Sequence, residues 1–173
     1  MQYDELESRL RQNSQRALFN YWRRRATRHG LPAAKDFHLN DLREFCDQIF
    51  LIKVKREAAR LRFRCDYAGT KVVLHLGQNP KGRWIDEVLS TQEGSVLRLA
   101  FVELTALKRP QLLKREAGLG GPQGRIEEDL LLPCIGDNDM VELIICHSTT
   151  LNRFAEDTDN QEVRQAVGGL FQS

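Results

Sequence analysis

Residues 47–68 of the chain read DQIFLIKVKREAARLRFRCDYA, and this stretch decides the fold. Apolar side chains alternate there with charged or longer ones in two successive segments, which are 47–55 and 59–68. The apolar positions of the alternation are Phe50, Ile52, Val54, Leu61, Phe63, Cys65 and Tyr67. A period of two over this length predicts two antiparallel β-strands, each with one buried and one solvated face.

The residues that follow predict a turn into a short helix. Gly69 and Thr70 come directly after the second strand, and an apolar run continues to Leu76. We expect Gly69 to have a positive φ angle, because glycine adopts one without strain. We expect the Thr70 hydroxyl to cap the helix that follows.

Downstream, the pattern predicts three helices, over residues 70–76, 84–89 and 93–108. Three strands follow, over residues 111–117, 125–135 and 140–148. The glycine-rich loop 118–124 precedes a strand and lacks the Lys-Ser/Thr of a phosphate-binding loop, so it predicts a hairpin tip. We interpret the acidic run 127–129 as a solvated strand edge. Because strands and helices do not alternate over a long range, the order favours an α+β fold over a doubly wound parallel sheet.

The N-terminal residues 3–29 predict one amphipathic helix that ends at Gly30. Acidic residues lie in its first turns and arginines in its last, which complements the helix dipole. We expect residues 1–30 to form a flanking helix outside the sheet core, whose apolar stripe helps to form a homodimer. Residues 149–173 read as a polar C-terminal tail with one weak helix at 161–170.

Composition and cysteine usage exclude several classes of protein. The chain has 173 residues, of which 41% are hydrophobic and 29% charged, which is ordinary for a globular protein with its own core. No apolar run approaches the roughly 20 residues of a membrane helix, and residues 1–11 do not resemble a secretory signal. We therefore expect a cytoplasmic protein with reduced thiols. Cys146 and His147 are adjacent on a predicted strand and point to opposite faces, so we assign no metal site.

A basic segment offers one alternative function. Residues 8–35 contain seven arginines, one lysine and no acid, whereas acids dominate 137–162. Tyr21 and Trp22 stand beside Arg23, a pairing that can contact the bases and phosphates of a nucleic acid. The same two aromatic residues also lie on the apolar stripe of the predicted helix, so we expect nucleic-acid binding to be the lesser function.

The order of elements resembles the PAS fold, in which two strands, a cluster of short helices and three strands form a five-stranded antiparallel sheet. Several short motifs are similar to those of one bacterial PAS-like family, and together they cover roughly residues 17–148. In this sequence the motifs are Tyr21-Trp22, Pro32 with Asp36-Phe37, Ile49-Phe50-Leu51, Arg62-Phe63-Arg64, Tyr67, Gly69-Thr70, Leu76-Gly77, Gly82-Arg83 and Leu130-Leu131-Leu132-Pro133.

This resemblance implies a fold with a helix cluster on one face of the sheet and three segments, which are 1–30, 31–148 and 149–173. It also implies a pocket between sheet and helices that is either filled with side chains or holds a small ligand. With the alternation of the strands, the expected ligand-binding residues are Phe63, Cys65, Tyr67, Thr70, His75, Trp84 and Cys134. His75 could ligate haem, as a histidine does in some PAS sensors, but a plain histidine is the stronger interpretation, and the cofactor stays unknown.

The resemblance implies a sensor or interaction protein of bacterial signalling that acts through protein partners or self-association. We found no nucleophile–base pair or carboxylate pair at a recognisable spacing, so we assign no catalytic residues and expect no enzyme activity. The alternative is a nucleic-acid-binding regulator that uses the basic N-terminal helix.

Overall fold

Five antiparallel strands form one open sheet in the computed structural model, which describes residues 3–28, 30–58, 60–89, 91–116 and 125–152. The strands are β1 (Ile49–Glu57), β2 (Arg60–Ala68), β3 (Gln111–Glu116), β4 (Arg125–Ile135) and β5 (Val141–Asn152). They pair in the order β2-β1-β5-β4-β3, and every pair is antiparallel. The predicted α+β class with a five-stranded antiparallel sheet is confirmed.

The helices lie on both sides of this sheet. They are α1 (Asp4–Arg9), α2 (Asn13–Arg23), α3 (Thr70–Leu76), α4 (Ile85–Val88) and α5 (Thr91–Leu107), with 3₁₀ turns at Ala34–Asp36 and Leu39–Phe45. None of them, within the described ranges, combines the length and hydropathy needed to cross a lipid bilayer. The predicted loop 118–124 and the weak helix 161–170 lie outside the described residues.

The predicted single N-terminal helix is wrong, because it is broken between α1 and α2. Leu10 has an extended backbone (φ −72°, ψ 110°), and its side chain is fully buried. The break lets Leu10 turn into the core, and its carbonyl, which lies outside both helices, accepts a 2.6 Å hydrogen bond from Arg16 Nε. The last strand also differs from the prediction, since β5 continues to Asn152 instead of ending at 148.

The two faces of the sheet carry separate cores. We call the face covered by α3, α4 and α5 the inner face, which includes Phe50, Ile52 and Leu131. The outer face includes Leu130 and Leu132 and is covered by α2. A strand buried on both faces reads as a continuous apolar run, and Leu130-Leu131-Leu132 in β4 follows that rule.

The apolar stripe of α2 is buried against the outer face of its own sheet. Leu18, Phe19 and Trp22 have no exposed surface, and Trp22 Nε1 donates a 3.0 Å hydrogen bond to Pro133 O. The prediction that the N-terminal helix lies outside the sheet core is therefore wrong, and its stripe cannot also form a dimer contact.

A β-bulge reverses the alternation near the end of β2. Leu51 pairs with Tyr67 and Ile52 pairs with Cys65, which leaves Asp66 as the extra residue. Because one extra residue shifts the following side chains to the other face, Cys65 points to the inner face and Tyr67 to the outer face.

Close packing, not a positive φ, explains the glycine before α3. Gly69 has φ −71°, so the predicted positive angle is wrong. A Cβ there would collide with Cys46 O and lie 2.5 Å from the backbone carbonyl of Asp47. The Thr70 hydroxyl does not cap α3 either, because it donates to Asp47 Oδ1 at 2.9 Å and Gly69 is the N-cap.

Candidate functional site

A small cavity lies between the inner face and the helices α3 and α4. Its lining is mostly apolar, with three polar residues at one end, and consists of Phe50, Cys65, Val72, His75, Leu76, Pro80, Ile85, Val88, Leu89, Leu97, Arg115 and Ser148. Its volume of about 30 Å³ holds one or two waters, since each needs at least about 10–15 Å³. Ordinary ligand pockets measure about 300–1,000 Å³, so a larger ligand could enter only if α3 moved.

Glu127, whose side chain is only 4% exposed, lies beside the polar end of this cavity and contacts two of its lining residues, His75 and Ser148. Its Oε1 accepts a hydrogen bond from the Thr150 hydroxyl at 3.1 Å, and its Oε2 accepts one from the Ser148 hydroxyl at 3.3 Å. From α3, His75 Nδ1 lies 3.8 Å from Glu127 Oε2, and Nε2 lies 3.4 Å from the Thr150 hydroxyl oxygen. His75 thus connects α3 to β4 through Glu127 and to β5 through Thr150.

A buried ion pair lies next to Glu127 on the same face. Arg115 Nε donates a 2.6 Å hydrogen bond to Asp129 Oδ2, and the Asp129 side chain has no exposed surface. Asp129 Oδ1 is buried and has no hydrogen-bond partner. The pair is charge-assisted and short, which makes it one of the stronger interactions in the domain.

The prediction that residues 127–129 form a solvated edge is wrong. They lie in β4, a central strand between β3 and β5, so they have neighbours on both sides. All three side chains are buried, Glu127 and Asp129 on the inner face and Glu128 on the outer one. The sequence did contain a sign of this burial. Side chains alternate between the two faces of a strand, so three consecutive acidic residues cannot all lie on one solvated face.

The outer face carries buried polar groups that are less well satisfied. Neither oxygen of the Glu128 carboxylate has a hydrogen bond, and Lys114 Nζ lies 3.7 Å from its Oε2. Neither ring nitrogen of His147 has a partner, and burial lowers the pKa of this imidazole to about 4. Gln15 Nε2 from α2 contacts the Thr149 hydroxyl at 3.3 Å.

Three of the seven predicted ligand-binding residues lie on or beside the cavity side of the sheet. Cys65 and His75 line the cavity, and Phe63 packs on the same face against Phe101, with ring centroids 5.2 Å apart. Burial raises the pKa of the Cys65 thiol to about 12, so this thiol stays protonated and inert at neutral pH.

The other four predicted residues lie elsewhere. Tyr67 is on the outer face because of the bulge, and its hydroxyl donates to Cys46 O at 3.1 Å. Cys134 belongs to the outer core, since it shares the face of Leu132 in β4. Thr70 is exposed. The Arg62 guanidinium lies over Trp84, with its carbon 3.8 Å from the centroid of the Trp84 ring. The sequence alone could not show which face of the sheet Tyr67 and Cys134 lie on, because that depends on strand register.

Thr150, His75 and Glu127 have the residue types of a hydroxyl–imidazole–carboxylate triad, but their hydrogen bonds differ from one. In a triad the hydroxyl donates to the imidazole, and the carboxylate holds the other ring nitrogen. Here Thr150 donates its proton to Glu127, and the 3.8 Å from His75 Nδ1 to Glu127 is beyond hydrogen-bond distance. The described part of the chain also holds no cluster of three or more metal-ligating His, Cys, Asp or Glu.

An open groove of about 370 Å³ lies on the outer face, beside the linker that precedes the first 3₁₀ turn. Its charged residues form ion pairs across it, with Lys35 Nζ 3.1 Å from Asp137 and Lys53 Nζ 3.8 Å from Glu142. Sequence reasoning missed this groove because it forms where Ala33 bridges Ile135, far apart in the chain.

Two arginines, one at the end of α2 and one just beyond it, are engaged within the chain. Arg23 Nη1 pairs with Glu7 at 2.8 Å, and the Arg25 guanidinium lies 3.6 Å from the centroid of the Tyr21 ring. These contacts use the aromatic and cationic groups that a nucleic acid would need.

A comparison with protein-family models matches residues 10–145 to a model described as PAS domain, which is more than half of the chain. The chain belongs to the PAS domain family. No curated protein matches it. Among solved structures, the PAS domain is similar to an RNA-binding light-oxygen-voltage receptor, with 18% sequence identity and a TM-score of 0.40. That similarity covers 70% of this chain and 35% of the receptor chain, so this chain spans about a third of the receptor's length.

The cavity of this PAS domain lies between the inner face of the sheet and the helices α3 and α4. In this PAS domain the cavity is nearly filled, and its polar end connects α3 to β4 and β5 through His75 and Glu127. The family match begins at Leu10 and thus includes α2, the helix that covers the outer face.

Proposed function

We propose that this PAS domain is a non-enzymatic sensor and interaction module of bacterial signalling or regulation in the cytoplasm. It acts through a protein partner or a second copy of itself, and a small ligand in the inner-face cavity sets its state. The observation that carries the proposal is the polar cluster beside that cavity, where buried Glu127 accepts hydrogen bonds from Ser148 and Thr150 and faces His75 of α3.

The size of the cavity supports a mechanism in which ligand entry moves α3. About 30 Å³ is enough for one or two waters only, so a ligand must displace Val72 or Leu76 of α3. That displacement would break the contacts of His75 with Glu127 and Thr150. The outward side of α3, where Leu74 is 77% exposed, would then present a changed surface to a partner.

Two observations favour this function over the alternatives. The Thr150 hydroxyl donates to Glu127, and His75 Nδ1 lies 3.8 Å from that carboxylate, beyond hydrogen-bond distance, which opposes a hydrolytic role. Arg23 and Arg25 are engaged by Glu7 and Tyr21, which opposes the use of the N-terminal helix for nucleic-acid binding. A cofactor the size of haem or flavin is not part of the proposal, because the cavity is far smaller than such a group.

Native mass spectrometry of the purified full chain tests the ligand part of the proposal. We expect the wild-type spectrum to show a small molecule that is released on collisional activation. Val72→Ile adds one methylene to the cavity wall and should reduce or abolish this adduct, whereas Leu74→Ile on the exposed side of the same helix should keep it. A wild-type spectrum with only the bare chain, or an adduct that Val72→Ile leaves unchanged, would contradict a ligand in this cavity.

A further inference from the structure

The groove of about 370 Å³ on the outer face has the size of a ligand site and lies on the opposite side of the sheet from the inner-face cavity. Small-molecule pockets begin at about 300 Å³, so the groove accommodates a small organic molecule without any movement of the chain. Its apolar lining consists of Ile135 and Leu143 from the strands and Ala33 and Ala34 from the linker. The rest of its lining, apart from one glycine, is charged.

Two β-bulges place their extra residues in this groove. In the β1–β2 pair the extra residue is Asp66. In the β4–β5 pair it is Glu142, because Leu143 and Val141 pair with consecutive residues of β4. The described strand pairs contain no other register shift, and both bulge carboxylates line the groove. A bulge redirects a side chain and is over-represented next to active sites, which points to this groove as a built feature of the sheet.

Two opposite charges in the groove have no hydrogen bond to the protein. Lys35 Nζ donates a 3.1 Å hydrogen bond to Asp137, and Asp66 accepts one of 2.9 Å within β2. By contrast, Lys53 Nζ lies 3.8 Å from Glu142 Oε1, beyond hydrogen-bond distance, and neither group has another partner among the residues the structure describes. Ion pairs between exposed groups contribute little to stability, so a ligand can replace this one at little cost.

Gly136 makes room for one of these two groups. A Cβ at this position would collide with Glu142 Oε2, so the carboxylate occupies the space that a side chain of residue 136 would fill. Gly136 is in the turn that joins β4 to β5, where its N–H donates a 2.8 Å hydrogen bond to Met140 O. The absence of a side chain at residue 136 therefore fixes where the carboxylate lies at this end of the groove.

We propose that the groove binds an α-amino acid with an apolar side chain. Such a molecule carries an ammonium and a carboxylate on one carbon, so its ammonium donates to Glu142 while its carboxylate accepts from Lys53. Its side chain then lies on Ile135 and Leu143. This site goes beyond the proposed function, because it is a second ligand site on the other face of the sheet.

The charges of the lining oppose other classes of ligand. The groove is lined by two lysines and three acids. A phosphate or another simple anion would meet three carboxylates, and a metal ion would meet two ammonium groups. The described part of the chain also holds no metal-ligating cluster of three or more residues. A molecule that carries both charges matches this lining.

A ¹⁵N NMR titration of the full chain with glycine, alanine, valine and leucine tests the proposal. At least one of them should shift the amide signals of residues 33–35 and 136–143 in a saturable way, with a dissociation constant at or below about 1 mM. Leucine should bind more tightly than glycine, because its side chain contacts the apolar lining. The proposal is overturned when none of the four gives a saturable shift, or when glycine binds as tightly as leucine.

Two analogues of leucine test whether both charges are needed. The amine 3-methylbutylamine lacks the carboxylate of leucine, and 4-methylpentanoate lacks its ammonium. Each should bind at least about tenfold more weakly than leucine, because each loses one charge-assisted hydrogen bond. An analogue that binds as tightly as leucine would contradict recognition of a zwitterion.

Two charge variants with matched controls locate the site. Lys53→Met and Glu142→Gln should each weaken leucine binding about tenfold. Lys55→Met is the control on the same strand, outside the groove, and Glu57→Gln is the control in a similar 3.8 Å ion pair with Arg62. Both controls should bind leucine like the wild type. Wild-type affinity in Lys53→Met and Glu142→Gln, or an equal loss in the controls, would overturn the assignment.

Gly136→Ala tests the position of the carboxylate separately from its charge. It should leave the melting temperature nearly unchanged, because the atom that its Cβ meets is the end of a flexible side chain, and it should weaken leucine binding because it displaces Glu142. Val72→Ile, which changes the inner-face cavity, should leave leucine binding unchanged. Loss of leucine binding in Val72→Ile would place leucine in that cavity and overturn the proposal, so the two sites succeed or fail independently.

Discussion

The inner and outer faces of the sheet bury acidic residues from the same strand but treat them differently. On the inner face, Glu127 accepts two hydroxyl hydrogen bonds and Asp129 pairs with Arg115 at 2.6 Å. On the outer face, the Glu128 carboxylate has no hydrogen bond, and neither does the His147 ring. The two faces therefore differ in the partners of their buried polar groups and not in the number of such groups.

Buried polar groups on the inner face have more partners than those on the outer face, although Asp129 Oδ1 on the inner face has none. A buried polar group without a partner costs about 1–3 kcal/mol, and the outer face offsets that cost with apolar contacts of Leu18, Phe19 and Trp22. The inner face also has a large apolar core, yet Glu127 and Asp129 each accept at least one side-chain hydrogen bond there. This contrast supports the inner-face cavity as the site through which the domain responds.

The largest expected effect on stability comes from replacing Arg115, and its neighbour Lys114 on the opposite face of β3 provides the comparison. Arg115→Met should lower the free energy of unfolding by about 3–5 kcal/mol, because it leaves the buried Asp129 carboxylate unpaired. Lys114→Met should lower it by less than Arg115→Met does, because Lys114 is 44% exposed and its Nζ lies 3.7 Å from Glu128, so the variant loses no hydrogen bond to that carboxylate. Urea unfolding of both variants measures the difference. Equal losses of unfolding free energy in the two variants would contradict the expected difference between the inner-face and outer-face ion pairs.

The next effect concerns Gly69, where β2 joins α3. Gly69→Val should destabilise the domain by about 3 kcal/mol, the upper end for overpacking, because the atoms that a side chain would meet are backbone atoms of Cys46 and Asp47. Gly69→Ala should already be destabilising for the same reason. Thermal melts of both variants test this, and a wild-type melting temperature for Gly69→Ala would mean that the strand–helix junction is not packed as described.

A pH titration probes the unpartnered imidazole of the outer face. The pKa of His147 is lowered to about 4 in the folded chain and is about 6.5 in an unfolded one. The unfolded state therefore binds more protons below pH 6.5, so the stability contribution is complete above that pH and is lost as the pH falls towards 4. We expect the wild type to lose about 2 kcal/mol from this group between pH 7.5 and pH 5.

His147→Leu removes the titrating group and should flatten that part of the pH dependence. At neutral pH it should be neutral or stabilising, because it replaces two unpartnered nitrogens with an apolar side chain. Thr149→Val is the control on the same face, since it does not titrate and should keep the wild-type slope. The prediction fails when urea unfolding gives His147→Leu and the wild type the same pH dependence.

The smallest expected effect concerns Tyr67 on the outer face, whose substitution should change stability slightly and ligand binding not at all. Tyr67→Phe should lower the free energy of unfolding by about 1 kcal/mol through the lost hydrogen bond to Cys46 O. It should leave the adduct in the native mass spectrum unchanged, because Tyr67 is on the outer face. Loss of the adduct in Tyr67→Phe would place the ligand on the wrong side of the sheet for the proposed cavity.

Local patterns located the five strands and the helices between β2 and β3, but they missed the break between α1 and α2. The alternation in 47–68 predicted β1 and β2, and the helix predicted at 70–76 is α3 with the same bounds. The candidate site was predicted only in part. Cys65 and His75 line the cavity as expected, whereas Tyr67 and Cys134 do not, because the face of a strand residue depends on register and bulges.

The sequence by itself determined the class of fold and the order of its strands and helices, because hydrophobic periodicity and glycine positions are local properties. Only the tertiary structure decided that α2 covers the outer face, that residues 127–129 lie in the middle of the sheet, and that Gly69 packs against Cys46 and Asp47. Each of these depends on contacts between residues far apart in the chain. Burial and hydrogen-bond partners are properties of those contacts, so no local pattern could supply them.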